Sequence, residues 1–338
     1  MTLPHVPVAV TTRGDTVESV HYGSIAVVDV DGRLLHAAGD PQFVTFTRSA
    51  LKPLQALPFV EDGGPAHFHY ADVQIALLCA SHSGEPAQVD GVADMLARAG
   101  LSAADLQCGT HAPGFYDVRG ETPPAPPWSP LAHNCSGKHA GMLAACRLHG
   151  WSVLDYLDTD HPLQRRIRQT VSEFADVPVD ALRCGIDGCS APNYAMPLAK
   201  LAQAFARLAA GGTRLDRAAA TLRNAMTAHP EMVSGAGRGD LELARAGRGD
   251  WVPKVGAEGV QAVGIASRGI GVAVKIADGA RRALLPAVVA VLDQIGILDA
   301  TQRQALSTLR EPTLTNYRAI ATGRVRPIVD LTRGPAPA

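Results

Sequence analysis

The 338-residue chain has almost no net charge: 31 basic residues against 32 acidic ones leave −1 with histidine neutral. That balance creates no basic field of the kind that attracts nucleic acid or an anionic lipid surface, so small-molecule chemistry is favoured. Long apolar runs are missing too. Met1 to Arg13 has neither the charged lead nor the continuous apolar stretch of a secretory signal, and no run approaches the ~20 residues of a membrane span. The expectation is a cytoplasmic protein. Cysteine is sparse: Cys79, Cys108, Cys135, Cys146, Cys184 and Cys189 follow no regular spacing. In a reducing compartment that argues against a disulfide framework and leaves free thiols or metal ligands. No internal repeat is visible.

What the chain does have is enough apolar content for a core. Hydrophobic residues make up 46% and charged ones 19%, the balance of a globular chain and not a disordered one. β-rich segments flank Asp31-Gly32 between Gly23 and Ala38, and that dipeptide supplies the positive φ angles of a tight hairpin. A second strand pair is expected at Val260–Ala266 and Gly271–Ile276, around a Ser-Arg-Gly turn. Between these pairs helices dominate. Val89, Val92, Ala93 and Leu96 set one apolar face over Pro86–Ala99, and similar stripes run through Pro162–Phe174, Pro197–Ala210 and Arg281–Ile295. Cys108 to Pro130, dense in proline at Pro123, Pro124, Pro126 and Pro127, reads as a long ordered loop.

These patterns predict an α+β fold. A single domain over residues 1–338 holds an antiparallel sheet made from N- and C-terminal strands, with packed helices and a helical lobe inserted over roughly residues 70–235.

Chemistry is concentrated in a few segments. Arg48-Ser49-Ala50-Leu51-Lys52 sets a serine and a lysine three residues apart, on one face of a helix expected over Ser49–Val60. A neutral lysine amine can take the proton of a serine hydroxyl, although Ser-x-x-Lys also arises as a helix cap beside a solvated lysine. The apolar company of Phe43, Val44, Phe46, Leu51, Leu54 and Leu57 favours a buried lysine. Ser81 lies in a second small-residue segment, Cys79–Glu85, and Lys254 sits on the approach to the C-terminal strands. Cys135-Ser136-Gly137-Lys138-His139 and Cys184–Cys189 bring thiols together with nitrogen donors. This is a zinc-type chemistry that the residues alone would complete with His139.

The pieces RSALKPLQALP, CASHSGEP, HNCSGKHAGML, GIDGCSAPNYAMPL, HPEMVSGAGRGD and KVGAEGV occur in this order. Together they resemble the L-asparaginase II family, typified by the thermolabile rhizobial enzyme. The resemblance implies a fold similar to serine β-lactamases and serine-dependent glutaminases, and hydrolysis of L-asparagine to L-aspartate and ammonia. It also implies two Ser–Lys tandems, Ser49 with Lys52 and Ser81 with Lys254. Of the two serines Ser49 is favoured as the acylated one, because a helix N-terminus and an in-phase lysine both promote its ionisation. The resemblance further implies Zn²⁺ on Cys135, Lys138 and Cys189 with water completing the shell, and a homodimer. Arg48, His139 and Asp187 are the candidate substrate-binding or orienting residues. Competing readings are a glutaminase, a β-lactam-recognising serine enzyme, for which the Lys-Thr-Gly and Ser-Asp-Asn elements are missing, and a non-catalytic zinc-containing sensor.

Overall fold

The computed structural model describes residues 4–335. The chain divides into two compact units. One comprises the N-terminal residues through Ala50, Met196–Ala210 and the C-terminal part from Ala246; the other comprises Leu51–Ala195 and Gly211–Arg245. The helical unit begins at Leu51, and the Leu198–Ala210 helix belongs to the sheet unit.

The sheet unit contains the expected antiparallel sheet of N- and C-terminal strands. Its order is Thr313–Thr315, Ala321–Pro327, Val6–Arg13, Thr16–Asp29, Ile270–Ile276, Val260–Ile265 and Trp251–Gly256, and Leu34–Ala38 also pairs with Thr16–Asp29. The hairpin expected at Asp31-Gly32 forms because Asp29 Oδ1 accepts the N–H groups of Asp31 and Arg33 while Gly32 takes φ 89°. At the second hairpin a single 3₁₀ turn, Ala266–Arg268, ends on Gly269 at φ 60°. Sequence reading did not anticipate the strand Val6–Arg13, nor that its partner begins as early as Thr16.

Ile25, Ala26 and Val27 are consecutive and fully buried, so both sheet faces are covered there. The alanine-rich Leu198–Ala210 helix packs on the sheet. Gly264 and Gly271 permit this, since a Cβ at either would collide with the Phe205 or Ala202 carbonyl.

In the helical unit Lys52–Glu61 is the central helix: its residues from Lys52 to Phe59 are all buried, against the helices Ser136–His149, Pro162–Ala175 and Asp216–Ala228. The expected loop Cys108–Pro130 holds one short helix, Gly114–Arg119, ahead of its proline cluster. Among the described residues no helix is long and apolar enough to cross a membrane.

Candidate active site

Helix formation begins one step later than the spacing of Ser49 and Lys52 suggests. Arg48 adopts φ 50°, a left-handed angle that an α-helix cannot continue from. Arg48–Leu51 is consequently a 3₁₀ turn, and the α-helix starts at Lys52. Pro53 follows at a position where a missing N–H costs nothing.

Lys52 is 1% exposed. Its Nζ donates to Ala80 O at 2.5 Å and to Asn134 O at 3.3 Å, and lies 2.9 Å from Ser81 Oγ. Ser81 follows the Asp72–Leu78 helix in a buried, irregular segment, with its backbone N–H donated to Val233 O at 2.8 Å. Lys52 thus contacts Ser81.

The cluster of thiols and amine forms as expected in composition. Lys138 Nζ donates to Cys189 Sγ at 2.9 Å, and the Cys135 and Cys189 thiols hydrogen-bond to each other. All three residues are buried. The bond with Cys189 holds the Cys135 thiol well below its usual range, against the opposing effect of burial and with help from the Lys52 and Lys138 charges. Burial works against the Lys138 charge, but the two sulfurs outweigh it and raise its pKa. Cys108, also nearby, is pushed up to about 12 by burial. Asp187 adds negative charge at Lys138 and accepts the Gly188 N–H.

These donors fit a soft divalent cation. Among the described residues no three His, Cys, Asp or Glu side chains gather as a metal site, so the set is complete only if Lys138 contributes its nitrogen. Two sulfurs and one amine, already within hydrogen-bonding reach, match the preferences of Zn²⁺.

His139 is fully buried, and burial lowers its pKa to about 4. Its Nδ1 meets Tyr156 Oη at 2.8 Å. Its Nε2 finds no hydrogen bond of good geometry but lies close enough to Cys189 for the sulfur to favour its proton. Tyr156 Oη also accepts the Gln107 N–H at 3.0 Å, so it donates to Nδ1 and leaves the ring proton on Nε2, facing sulfur. Nothing in the sequence around Tyr156, in an irregular stretch, pointed to this role.

The remaining candidates lie in the sheet unit. Lys254 is fully buried on the edge strand Trp251–Gly256, an edge that also tolerates Pro253, and its Nζ donates to Val255 O at 3.0 Å. The same strand approaches the Ser49 turn, since a Cβ on Gly256 would stand 2.7 Å from Thr47 O and 3.3 Å from Arg48 Cβ. Arg48 lies 3.9 Å from Glu258.

No curated protein matches the chain. Among solved structures, Mglu in its native form in 4.3 M NaCl matches at 17% identity and a TM-score of 0.37, covering 82% of this chain and 62% of that one. Mglu in its glutamate form matches at 17% identity and a TM-score of 0.35, with the same coverages. This chain spans less than two thirds of either. A family model described as L-asparaginase II matches residues 9–327. The chain therefore belongs to the L-asparaginase II family.

Proposed function

We propose that the protein hydrolyses L-asparagine through a seryl ester, with Ser81 as the nucleophile and Lys52 as its base. One observation carries this reading: the 2.9 Å separation of Lys52 Nζ and Ser81 Oγ in a buried setting. A neutral lysine amine has two N–H bonds and one lone pair. Nζ also hydrogen-bonds Ala80 O, Asn134 O and the Cys135 sulfur; in the neutral form, with its two N–H bonds turned onto the carbonyls, it can offer the lone pair to Ser81 Oγ. Lys52 is thereby oriented to accept the hydroxyl proton.

The steps balance. Ser81 Oγ bonds to the side-chain amide carbon as its proton passes to Lys52. The tetrahedral adduct then collapses, its C–N bond breaks, and the Lys52 ammonium protonates the departing nitrogen as ammonia. Water, deprotonated by Lys52, attacks the β-aspartyl ester, and the proton returns to Ser81 as aspartate leaves. The N–H of Ser81 is spent on Val233 O, so the oxyanion takes its hydrogen bonds from other donors.

Ser49 and Lys254 are the remaining serine and lysine of this reading. Cys135, Lys138 and Cys189 are its Zn²⁺ ligands. When bound, the metal supplies a fixed positive charge that shapes the pocket and anchors one end of the substrate, and nucleophile activation stays with lysine. Ammonia release from asparagine by Ser81→Ala and Ser49→Ala tests the assignment. Loss in Ser81→Ala with an ester trapped on Ser81 is the expected result, and an ester on Ser49 overturns it.

A further inference from the structure

The Ser81 segment is tied down by a residue outside the reaction just described. His82 is 1% exposed, and both of its ring nitrogens are engaged. Nδ1 accepts the Gly84 N–H at 3.1 Å, which leaves the ring proton on Nε2. Nε2 then donates to Ser136 Oγ at 2.8 Å, and Ser136 Oγ donates onward to Leu131 O at 2.7 Å. The donor direction is fixed along the whole chain, and every member is satisfied.

Ser136 opens the helix that carries Lys138, and Cys135 is its N-cap. We infer that His82 is a positioning residue that clamps the Ser81 segment to the first turn of the Ser136–His149 helix, setting where Ser81 Oγ stands. The inference rests on the reading of Ser81 as nucleophile.

Three features make the clamp stiff. Gly84 takes φ 76°, which turns its N–H back onto the ring, and a Cβ there would stand 2.9 Å from Ala132 O. Gly137 brings the helix start against the end of the Asp72–Leu78 helix, where a Cβ would collide with the Leu77 carbonyl. Ser81 itself is held on the other side by its bond to Val233 O. His82 is no proton carrier in this arrangement. Its one lone pair is occupied by Gly84, and burial, with Lys52 close by, depresses its pKa to about 3.

A clamp next to a nucleophile acts on the reacting geometry more than on substrate binding, and a misplacement of about 1 Å costs roughly 10²-fold in rate. The test is asparagine hydrolysis, by ammonia release, for His82→Ala, Ser136→Ala, their combination and His82→Gln, with folding checked by circular dichroism. The expected result is a fall in kcat on the order of 10²-fold with little change in KM. The double variant should lose no more than either single one, because both cut the same link. His82→Gln, whose amide N–H can reach Ser136, should recover much of kcat with the wild-type pH profile.

Wild-type kcat in folded Ser136→Ala, or losses that multiply in the double variant, overturns the clamp; Ser136→Ala removes one oxygen and keeps the test open if His82→Ala misfolds. A Ser81→Ala control separates the two ideas. Activity abolished there with Ser136→Ala unimpaired sinks the clamp alone, whereas activity retained in Ser81→Ala sinks the nucleophile assignment and the clamp with it.

Discussion

Two buried lysines in the helical unit, each at the start of a helix, are surrounded by different chemistry. Lys52 Nζ meets two backbone carbonyls, a hydroxyl and one sulfur, that of Cys135, whereas Lys138 Nζ meets the sulfur of Cys189 with Cys135 and Asp187 adding negative charge. Carbonyls accept N–H groups from an amine or an ammonium alike, and a serine hydroxyl can either donate or accept. Thiolates favour the ammonium alone. The first environment suits a lysine that passes a proton back and forth. The second suits one that keeps its proton until a metal displaces it. Cys135 borders both, since its sulfur also feels Lys52.

The largest effect expected from this contrast is kinetic. If the proposed pair is the working one, removing either half, by Lys52→Met or Ser81→Ala, should lower asparagine turnover by about 10⁴-fold, as removal of one member of a catalytic unit does. Lys138→Met should lose less activity but should also lose bound metal. Ammonia release measured beside metal content by plasma mass spectrometry distinguishes them. Equal losses from Lys52→Met and Lys138→Met would erase the distinction between the two environments.

Metal uptake should depend on pH with a definite sign. Lys138 holds its proton more tightly than an ordinary lysine, and it must release that proton to ligate. Zn²⁺ affinity should therefore rise with pH, by up to about tenfold per unit for each proton displaced. Competition titrations with a chromophoric chelator between pH 6 and 8.5 follow this directly. A flat profile would mean that Lys138 does not give its nitrogen to the metal.

The fold was largely legible because strands and amphipathic helices write their periods into the chain. Pro86–Arg98, Pro162–Ala175, Leu198–Ala210 and Arg281–Gln294 fall within a residue or so of the expected helices. The Ser136–His149 helix is not legible in this way, because it is buried all round through Cys146 and shows no polar stripe to set its period. Contacts between segments distant in the chain are not written into any local pattern. A sequence shows Ser49 three residues from Lys52, and nothing local reveals that Lys52 reaches Ser81, 29 positions on. The same holds for His82 and Ser136, or Tyr156 and His139, which only tertiary packing brings together.

Acid should weaken the helical unit through its buried histidines. Burial holds His82 near 3 and His133 and His139 near 4, against an unfolded value of about 6.5. Below that value the unfolded chain binds protons that the native one refuses. The stability these rings contribute is therefore complete above pH 6.5 and is lost progressively as pH falls toward 4. Thermal melting of His139→Gln should show a shallower decline between pH 7 and 5 than wild type. An identical decline would assign the acid sensitivity to other groups.

The smallest effect probes what steadies the Cys135–Lys138–Cys189 cluster alone. Tyr156 Oη accepts from Gln107 and donates to His139 Nδ1, which places the ring proton on Nε2, beside Cys189. Tyr156→Phe leaves buried His139 Nδ1 without its partner, at a cost of about 1–3 kcal/mol in unfolding free energy. It also frees His139 to move its proton to Nδ1, so Zn²⁺ affinity should weaken by roughly tenfold, the scale on which orienting neighbours act. Urea denaturation and zinc titration read the two effects separately. If stability falls while zinc affinity holds, the His139 proton does not tune Cys189, and the contrast between the two lysines rests on the sulfurs and Asp187 alone.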